Sequence, residues 1–320
     1  MKAVSIFSGA GGTDLGFQQA GYEIVFANDI DKKATETYKK NLGLEPVTED
    51  IRKIKKFPKA DMLIACNPCQ GFSIIGKREE DDPRNMLYKE IFRCLRIMKP
   101  KYFLVENVKG LAQLYKGKFF KRMLSGFSRS GYNVKWNLVN TADYGIPQRR
   151  ERIFIVGIRK DLKIEYEFPK PTHGPGLRPY VTLRKTIFGM PKPMPSEYYA
   201  SDIWPFFYMS RNRKADWDAI SYTIQTTTHN IPLHPSCPPM KRVGKDKFVF
   251  TKSSKKYRRL SVRECARIQT FPDEFEFVGG LRAQYRLVGN AVPPKLARII
   301  AESIMQLEAK KPFAVTIRKR

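Results

Sequence analysis

Residues 3–7 read as a buried strand that runs directly into Gly9-Ala10-Gly11-Gly12, and residues 15–20 then read as a helix. A strand, a glycine turn and a helix in that order open an α/β sheet at the edge where such sheets hold nucleotides. The glycines let the backbone approach a ligand and take positive φ values. The alternation continues to about residue 160. Residues 23–27, 61–66, 102–105 and 152–158 are further strand-like runs. Between them Tyr88, Ile91, Phe92, Leu95 and Met98 recur at helical spacing, as do Phe119, Phe120, Met123, Leu124 and Phe127. Strands alternating with helices imply βαβ units. The expected fold class is α/β, with a Rossmann-like, mostly parallel sheet covered on both faces.

The loop also limits the ligand. Gly9 and Gly11 give G-x-G, but the third glycine of the dinucleotide fingerprint is Asp14. A carboxylate there repels a pyrophosphate, which argues against a nicotinamide oxidoreductase, and suits a ligand bearing an ammonium group. Asp29 closes the second strand, where a carboxylate can accept both ribose hydroxyls. Asp50 can accept from an adenine amino group. A glycine turn that only packs a helix onto a sheet is the simpler account of the loop. Taken together, these residues fit a nucleoside cofactor without phosphates, of which S-adenosylmethionine is the obvious example.

Charge points to the partner. Lys and Arg number 59 against 31 Asp and Glu, a formal charge of +28. Such a field favours a polyanion, nucleic acid first and an anionic membrane surface second. No apolar run approaches the ~18 residues needed to span a bilayer. The first residues are too weakly apolar for a signal peptide. Five cysteines do not suggest a disulfide framework, so a reducing, cytoplasmic setting is expected. Near residue 168 the texture becomes rich in Pro and Gly, and residues 170–275 read as a loop-rich second domain. Within it, residues 240–267 hold eleven Lys/Arg against two acidic residues, either a solvated face or a surface that tracks phosphates. Residues 293–309 read as a final amphipathic helix.

Three strand ends carry reactive groups. Cys69 follows the strand that ends near Cys66, at the ligand-binding edge of a parallel sheet, where a helix N-terminus would lower its thiol pKa. Cys66 and Cys69 could instead form a redox pair, or half a zinc site completed by His229, His234 and Cys237. Cys66 itself reads as a small buried hydrophobe. Glu106 follows four apolar residues, so desolvation should raise its pKa toward that of a general acid. Arg150 and Arg152 alternate onto one face at the entry to the last strand and together can hold a carbonyl or anionic group.

In this order the motifs resemble the C5-cytosine DNA methyltransferase family, closest to its GGCC-modifying, restriction-modification members. The matching segments are Phe7-Ser8-Gly9-Ala10-Gly11-Gly12, Pro68-Cys69-Gln70, Glu106-Asn107-Val108 and Gln148-Arg149-Arg150-Glu151-Arg152. Arg263-Glu264-Cys265-Ala266-Arg267-Ile268-Gln269-Thr270-Phe271-Pro272 and Gly289-Asn290-Ala291-Val292-Pro293-Pro294 complete the set. Asn67 stands where many members have proline. The resemblance implies a catalytic S-adenosylmethionine-binding domain over residues 1–170 and a smaller target-recognition domain over 171–275. Residues 276–320 would return to the catalytic domain. Cys69 would attack C6 of a flipped cytosine, Glu106 would protonate N3, Arg152 would bind O2, and Arg150 would hold the surrounding backbone.

Carried over in the same way, Phe7, Gly9, Ala10 and Gly12 would line the cofactor loop. Asp29 would take the ribose, and Ile30, Asp50 and Ile51 the adenine. Pro68, Leu87, Asn290, Ala291 and Val292 would border the methionine end. No metal is implied. Arg211 and Arg213 are the candidates for reading guanine edges in double-stranded DNA, with GGCC the leading target. A monomer is expected, as is a cognate restriction endonuclease in the same host without a stable complex. A tRNA cytosine-5 methyltransferase of the same fold is the first alternative, although the Cys-Phe-Thr motif of that branch is missing. A catalytically silent DNA-binding regulator is the second, although a binder needs no thiol.

Overall fold

The computed structural model describes residues 1–67, 86–113, 117–199 and 204–309. Strand β1 (Lys2–Ile6) is buried at every residue after Lys2, as a strand covered on both faces should be. It is followed by α1 (Gly12–Gln19), β2 (Glu23–Asp29), α2 (Lys32–Leu42), β3 (Val47–Thr48) and β4 (Met62–Ala65). Helix α3 (Tyr88–Met98), β5 (Tyr102–Val108), α4 (Gly110–Gln113) and α5 (Lys118–Arg129) come next. Strands β6 (Tyr132–Asn140) and β7 (Glu151–Arg159) complete a seven-stranded sheet in the order β3-β2-β1-β4-β5-β7-β6. The first five strands are parallel. Strand β7 runs antiparallel to both β5 and β6. The sheet is therefore mostly parallel, with an antiparallel edge, as the α/β, Rossmann-like expectation requires.

Alternation along the central strands divides the core. Met62, Ile64, Tyr102 and Leu104 face one layer, and Leu63, Ala65, Phe103 and Val105 face the other. The second layer is roofed by Ile91 and Leu95 of α3 and by Phe120, Met123 and Phe127 of α5, the helical stripes visible in the sequence. The first layer is closed by Phe17 of α1 together with Leu296, Ile300 and Ile304 from the far end of the chain.

Beyond β7 the chain is loop-rich, as its composition suggests. Its elements are α6 (Leu183–Ile187), β8 (Met240–Gly244), β9 (Lys247–Phe250), α7 (Val262–Ile268), α8 (Leu281–Asn290) and α9 (Pro294–Ala309). Strands β8 and β9 form a separate antiparallel hairpin. Helix α7 starts on a capping box in which Ser261 Oγ accepts the Glu264 N–H and Glu264 accepts the Ser261 N–H. Helix α9 lies along α1. A side chain on Gly16 would meet the Pro294 carbonyl at 2.4 Å, so glycine is what allows these backbones to touch. Among the described residues no helix is long and apolar enough to cross a membrane.

Candidate active site

The chain leaves β1 at Phe7 with φ 55° and turns through Gly9 (φ 56°) and Gly11 (φ 88°) into α1. A side chain on Gly11 would meet Tyr38 and Leu42 within about 3 Å, and one on Gly12 would meet the Val292 carbonyl at 2.5 Å. Ala10 is packed into the core with Ala27, Ala34 and Tyr38. Ala10 and Gly12 therefore set the shape of the loop from beneath. Gly9 is different: nothing lies within 4 Å of where its Cβ would be. Asp29, at the end of β2, accepts the Gly9 N–H at 2.8 Å and the Asp31 N–H at 2.9 Å. Burial raises its carboxyl above the ordinary range. Beside it Ile30 is 70% exposed. An open backbone shelf, a carboxylate with lone pairs to spare and an exposed aliphatic side chain suit a nucleoside.

Asp14 does not face a ligand. It is fully buried, and Ser5 Oγ and Tyr38 OH both donate to it at 2.8 Å. Burial pushes its carboxyl up to about 6. The Asp50 carboxylate is gripped by Arg52 Nε at 3.0 Å and caps the short helical turn that follows, which holds it near 2. Ile51 is buried in the core, and its carbonyl accepts from Arg93 Nη2 at 2.7 Å. Leu87 is half-buried at the head of α3, Asn290 is exposed at the end of α8, and Ala291 and Val292 lie in the corner before α9. Pro68 and Cys69 fall outside the described residues.

Ile6, Ala65 and Val105 are consecutive register partners, so the carboxyl ends of β1, β4 and β5 lie side by side. Cys66 stands next to α1, its sulfur 3.3 Å from Thr13 Oγ1. Burial and the nearby Glu106 carboxylate push its thiol well up, which keeps it protonated and inert. Asn107 Nδ2 donates to the backbone and side-chain oxygens of Asn67 at 3.3 and 3.4 Å. The segment leading toward Cys69 thus starts clamped to the end of β5. Glu106 is 8% exposed, and its Oε1 lies 3.1 Å from Arg152 Nε. Burial raises its pKa, while Arg152 and then Arg150 oppose the rise. Arg150, 1% exposed, donates from Nη1 to the Ile224 carbonyl at 3.1 Å and from Nη2 to the Gly289 carbonyl at 2.9 Å. A carboxyl that can hold or release a proton therefore stands beside a guanidinium, on the same sheet edge as Asp29.

A family model described as C-5 cytosine-specific DNA methylase matches residues 1–306. The chain belongs to that family. It is 42% identical to the Type II methyltransferase M.BspRI of Lysinibacillus sphaericus over 96% of this chain and 82% of that one. It is also 42% identical to M.MthTI of Methanothermobacter thermautotrophicus, over 95% and 97%. Among solved structures, the Entamoeba histolytica methyltransferase EhMeth superposes with a TM-score of 0.71 at 19% identity, covering 97% of this chain and 99% of that one. The S. pombe Dnmt2 methyltransferase does so with 0.64 at 19%, over 97% and 98%. These two share the fold. This DNA methylase is accordingly a DNA (cytosine-5-)-methyltransferase, and family and fold imply S-adenosylmethionine as its methyl source.

In the loop-rich part of the methylase Arg211 is exposed. Arg213, expected beside it on the DNA-reading surface, is instead 5% exposed. Its Nε donates to the Tyr208 carbonyl at 2.9 Å, and its guanidinium lies 4.8 Å from the centre of the Tyr208 ring. It braces the turn from within, so Arg211 is the one of the pair that points outward. His234 pairs with Ser236 and lies 3.5 Å from Glu264, and the Cys237 sulfur accepts the Arg258 N–H. Among the described residues no cluster of three or more His, Cys, Asp or Glu side chains is arranged to hold a metal. Sequence reasoning assigned no role to Asn107, Gln148 or Gln269. The available signal was an amide side chain inside each matched motif, next to apolar neighbours.

Proposed function

We propose that this methylase modifies a cytosine inside a short GC-rich duplex site, with GGCC the leading target, through a covalent bond from Cys69. The observation that carries this reading is the buried Glu106–Arg152 pair at the nucleoside-binding edge. Asp29 would take the ribose, Phe7 and Ile30 the adenine faces, Asp50 and Ile51 the adenine edge, and the Gly9 shelf the backbone side. Leu87, Pro68 and residues 290–292 would border the methionine end. Bound there, S-adenosylmethionine supplies an electrophilic methyl group for C5 of the base.

Attack on C6 and methylation at C5 go through the faces of the cytosine ring, which stacking covers in the duplex, so the base must swing out into the pocket. The Cys69 thiolate then bonds to C6, and the displaced electron pair makes C5 enamine-like. Glu106 protonates N3 and Arg152 donates to O2, so the ring's developing charge is met by groups already in position. Arg150 keeps the walls fixed through the carbonyls of Ile224 and Gly289. After methylation solvent water takes the C5 proton, the electron pair left behind restores the C5–C6 double bond, and the thiolate departs. Glu106 takes back the N3 proton, leaving 5-methylcytosine. The named relatives are Type II methyltransferases, which supports a restriction-modification role. We read the enzyme as a monomer working on DNA in the cytoplasm, beside an endonuclease it need not contact.

The test is Cys69→Ala, assayed with labelled S-adenosylmethionine and with duplex DNA containing 5-fluorocytosine. Fluorine blocks the elimination, so the parent enzyme should become trapped on the DNA. The variant should lose both trapping and methyl transfer while still binding DNA. A variant that still transfers methyl, or a parent that prefers tRNA, overturns the reading.

A further inference from the structure

Of the eleven cations between residues 240 and 267, the fold uses four. Arg258 makes two 2.8 Å hydrogen bonds to Glu264, and Arg267 pairs with Asp273. Arg263 donates to the Phe275 carbonyl. Arg259 is 1% exposed, with its guanidinium 4.1 Å from the centre of the Trp204 ring. The other seven point to solvent. Lys241, Arg242, Lys245 and Lys247 lie on the β8–β9 hairpin, and Lys252, Lys255 and Lys256 lie on the turn behind it. None of these seven forms an ion pair with an acidic side chain among the described residues. Other surface cations do find partners, as in Lys33–Glu36, Lys101–Asp61 and Lys109–Glu151, whereas these seven crowd together on one hairpin and its turn. Asp246 is the one acidic residue between residues 240 and 256.

The hairpin is anchored. Phe250 stacks on Tyr257 at 3.9 Å and meets Trp204 edge-on, while Met240 is buried against Tyr208 and Leu233. Thr251 Oγ1 and Tyr257 OH both donate to the Pro239 carbonyl. Its apolar side chains are thus largely turned inward. The outer surface is cationic and polar, which suits a phosphate backbone better than a bilayer. Unpaired like charges on a stiff hairpin repel one another and favour a polyanion in their midst.

We propose that the β8–β9 hairpin and its turn form an arm that grips duplex DNA by its phosphates, independently of sequence. The proposal rests on the reading of the chain as an enzyme of duplex DNA. The test measures DNA affinity against salt for the parent and for the fourfold variant Lys241→Gln, Arg242→Gln, Lys245→Gln and Lys247→Gln. Each duplex-phosphate contact contributes about 0.9 to the slope of log affinity against log salt. Removing four should make the slope shallower by about 3 to 4, equally on duplexes with and without the target site. The methylation rate at saturating DNA should stay at the parental value, which also reports an intact fold. Should the fourfold variant unfold, Lys252→Gln, Lys255→Gln and Lys256→Gln together should lower the slope by about 2 to 3. An unchanged slope in a folded variant overturns the arm, as does a loss seen only on the target duplex or only on anionic vesicles. A parent enzyme that neither binds nor methylates duplex DNA would instead refute the function on which the arm depends.

Discussion

Gln148 and Gln269, 121 positions apart, meet amide to amide at 2.7 Å in the interior. The free ends of the pair reach further. Gln148 Oε1 accepts the Ile224 N–H at 2.7 Å, and Gln269 Nε2 donates to the carbonyls of Val288 and Ala291. Arg150 takes the other polar group of Ile224, its carbonyl, and joins it to Gly289. A side chain on Gly289 would strike the Gln225 carbonyl at 2.3 Å. The loop-rich segment thus rests directly on the corner that leads to the nucleoside-binding edge.

Gln269→Leu should strip this relay of its centre. One buried amide N–H of Gln148 and two carbonyls lose their partner, each at about 1–3 kcal/mol where no replacement is found. The expected outcome is a melting temperature several degrees lower and raised KM values for both DNA and S-adenosylmethionine. Calorimetry and steady-state kinetics check both.

Glu106→Gln keeps the shape of the side chain and removes its proton. Loss of a general acid costs about 10²- to 10⁴-fold in rate, so kcat should fall within that range while DNA affinity changes little. Burial raises the Glu106 pKa, and in the proposed mechanism the protonated form is the active one. The parental rate should therefore decline as pH rises past that pKa, and the variant's profile should lack this limb.

Asp14 should make the fold more stable in mild acid than at neutral pH. Its carboxyl sits at about 6 against an ordinary 3.8, so the folded state holds the proton more tightly than the unfolded chain does. Stability is lost as pH rises from about 4 through about 6, by roughly 3 kcal/mol in all. Urea unfolding of the parent and of Asp14→Asn should diverge across that interval, with the variant showing the flatter dependence.

Arg211 and Arg213 should separate cleanly. Arg211→Ala should reduce discrimination between target and non-target duplexes by about 1–3 kcal/mol. Uniform weakening with a shallower salt slope would assign Arg211 to phosphate instead. Arg213→Ala, which removes the brace inside the turn, should lower thermal stability more than specificity.

The parts of the fold that announce themselves in the sequence are those buried on both faces. Strands β1, β4, β5 and β7 are apolar runs, and α3, α5 and α9 carry unbroken stripes. Strand β6 escapes because it is the sheet edge, with Lys135 and a half-exposed Trp136 interrupting any run. Helix α2 escapes because most of its residues are polar, with burial confined to one side. The reversed direction of β7 leaves no mark in composition. Glu106 and Asp29 were legible because each ends an apolar strand. Asp14 and Arg213 misled because a sequence shows that a residue is charged but not which way its turn faces. The Gln148–Gln269 pair obeys no period, since only the folded chain brings its members together.

Helix α9 fills the side of the sheet that α1 alone cannot cover, and the Gly16 contact fits it there. During synthesis, residues 1–20 emerge long before their lid. The nucleoside edge must therefore wait, partly uncovered, until residues 289–307 have left the ribosome. A newly made copy should gain its methylating ability abruptly and late, and a chain broken off before α9 should have none.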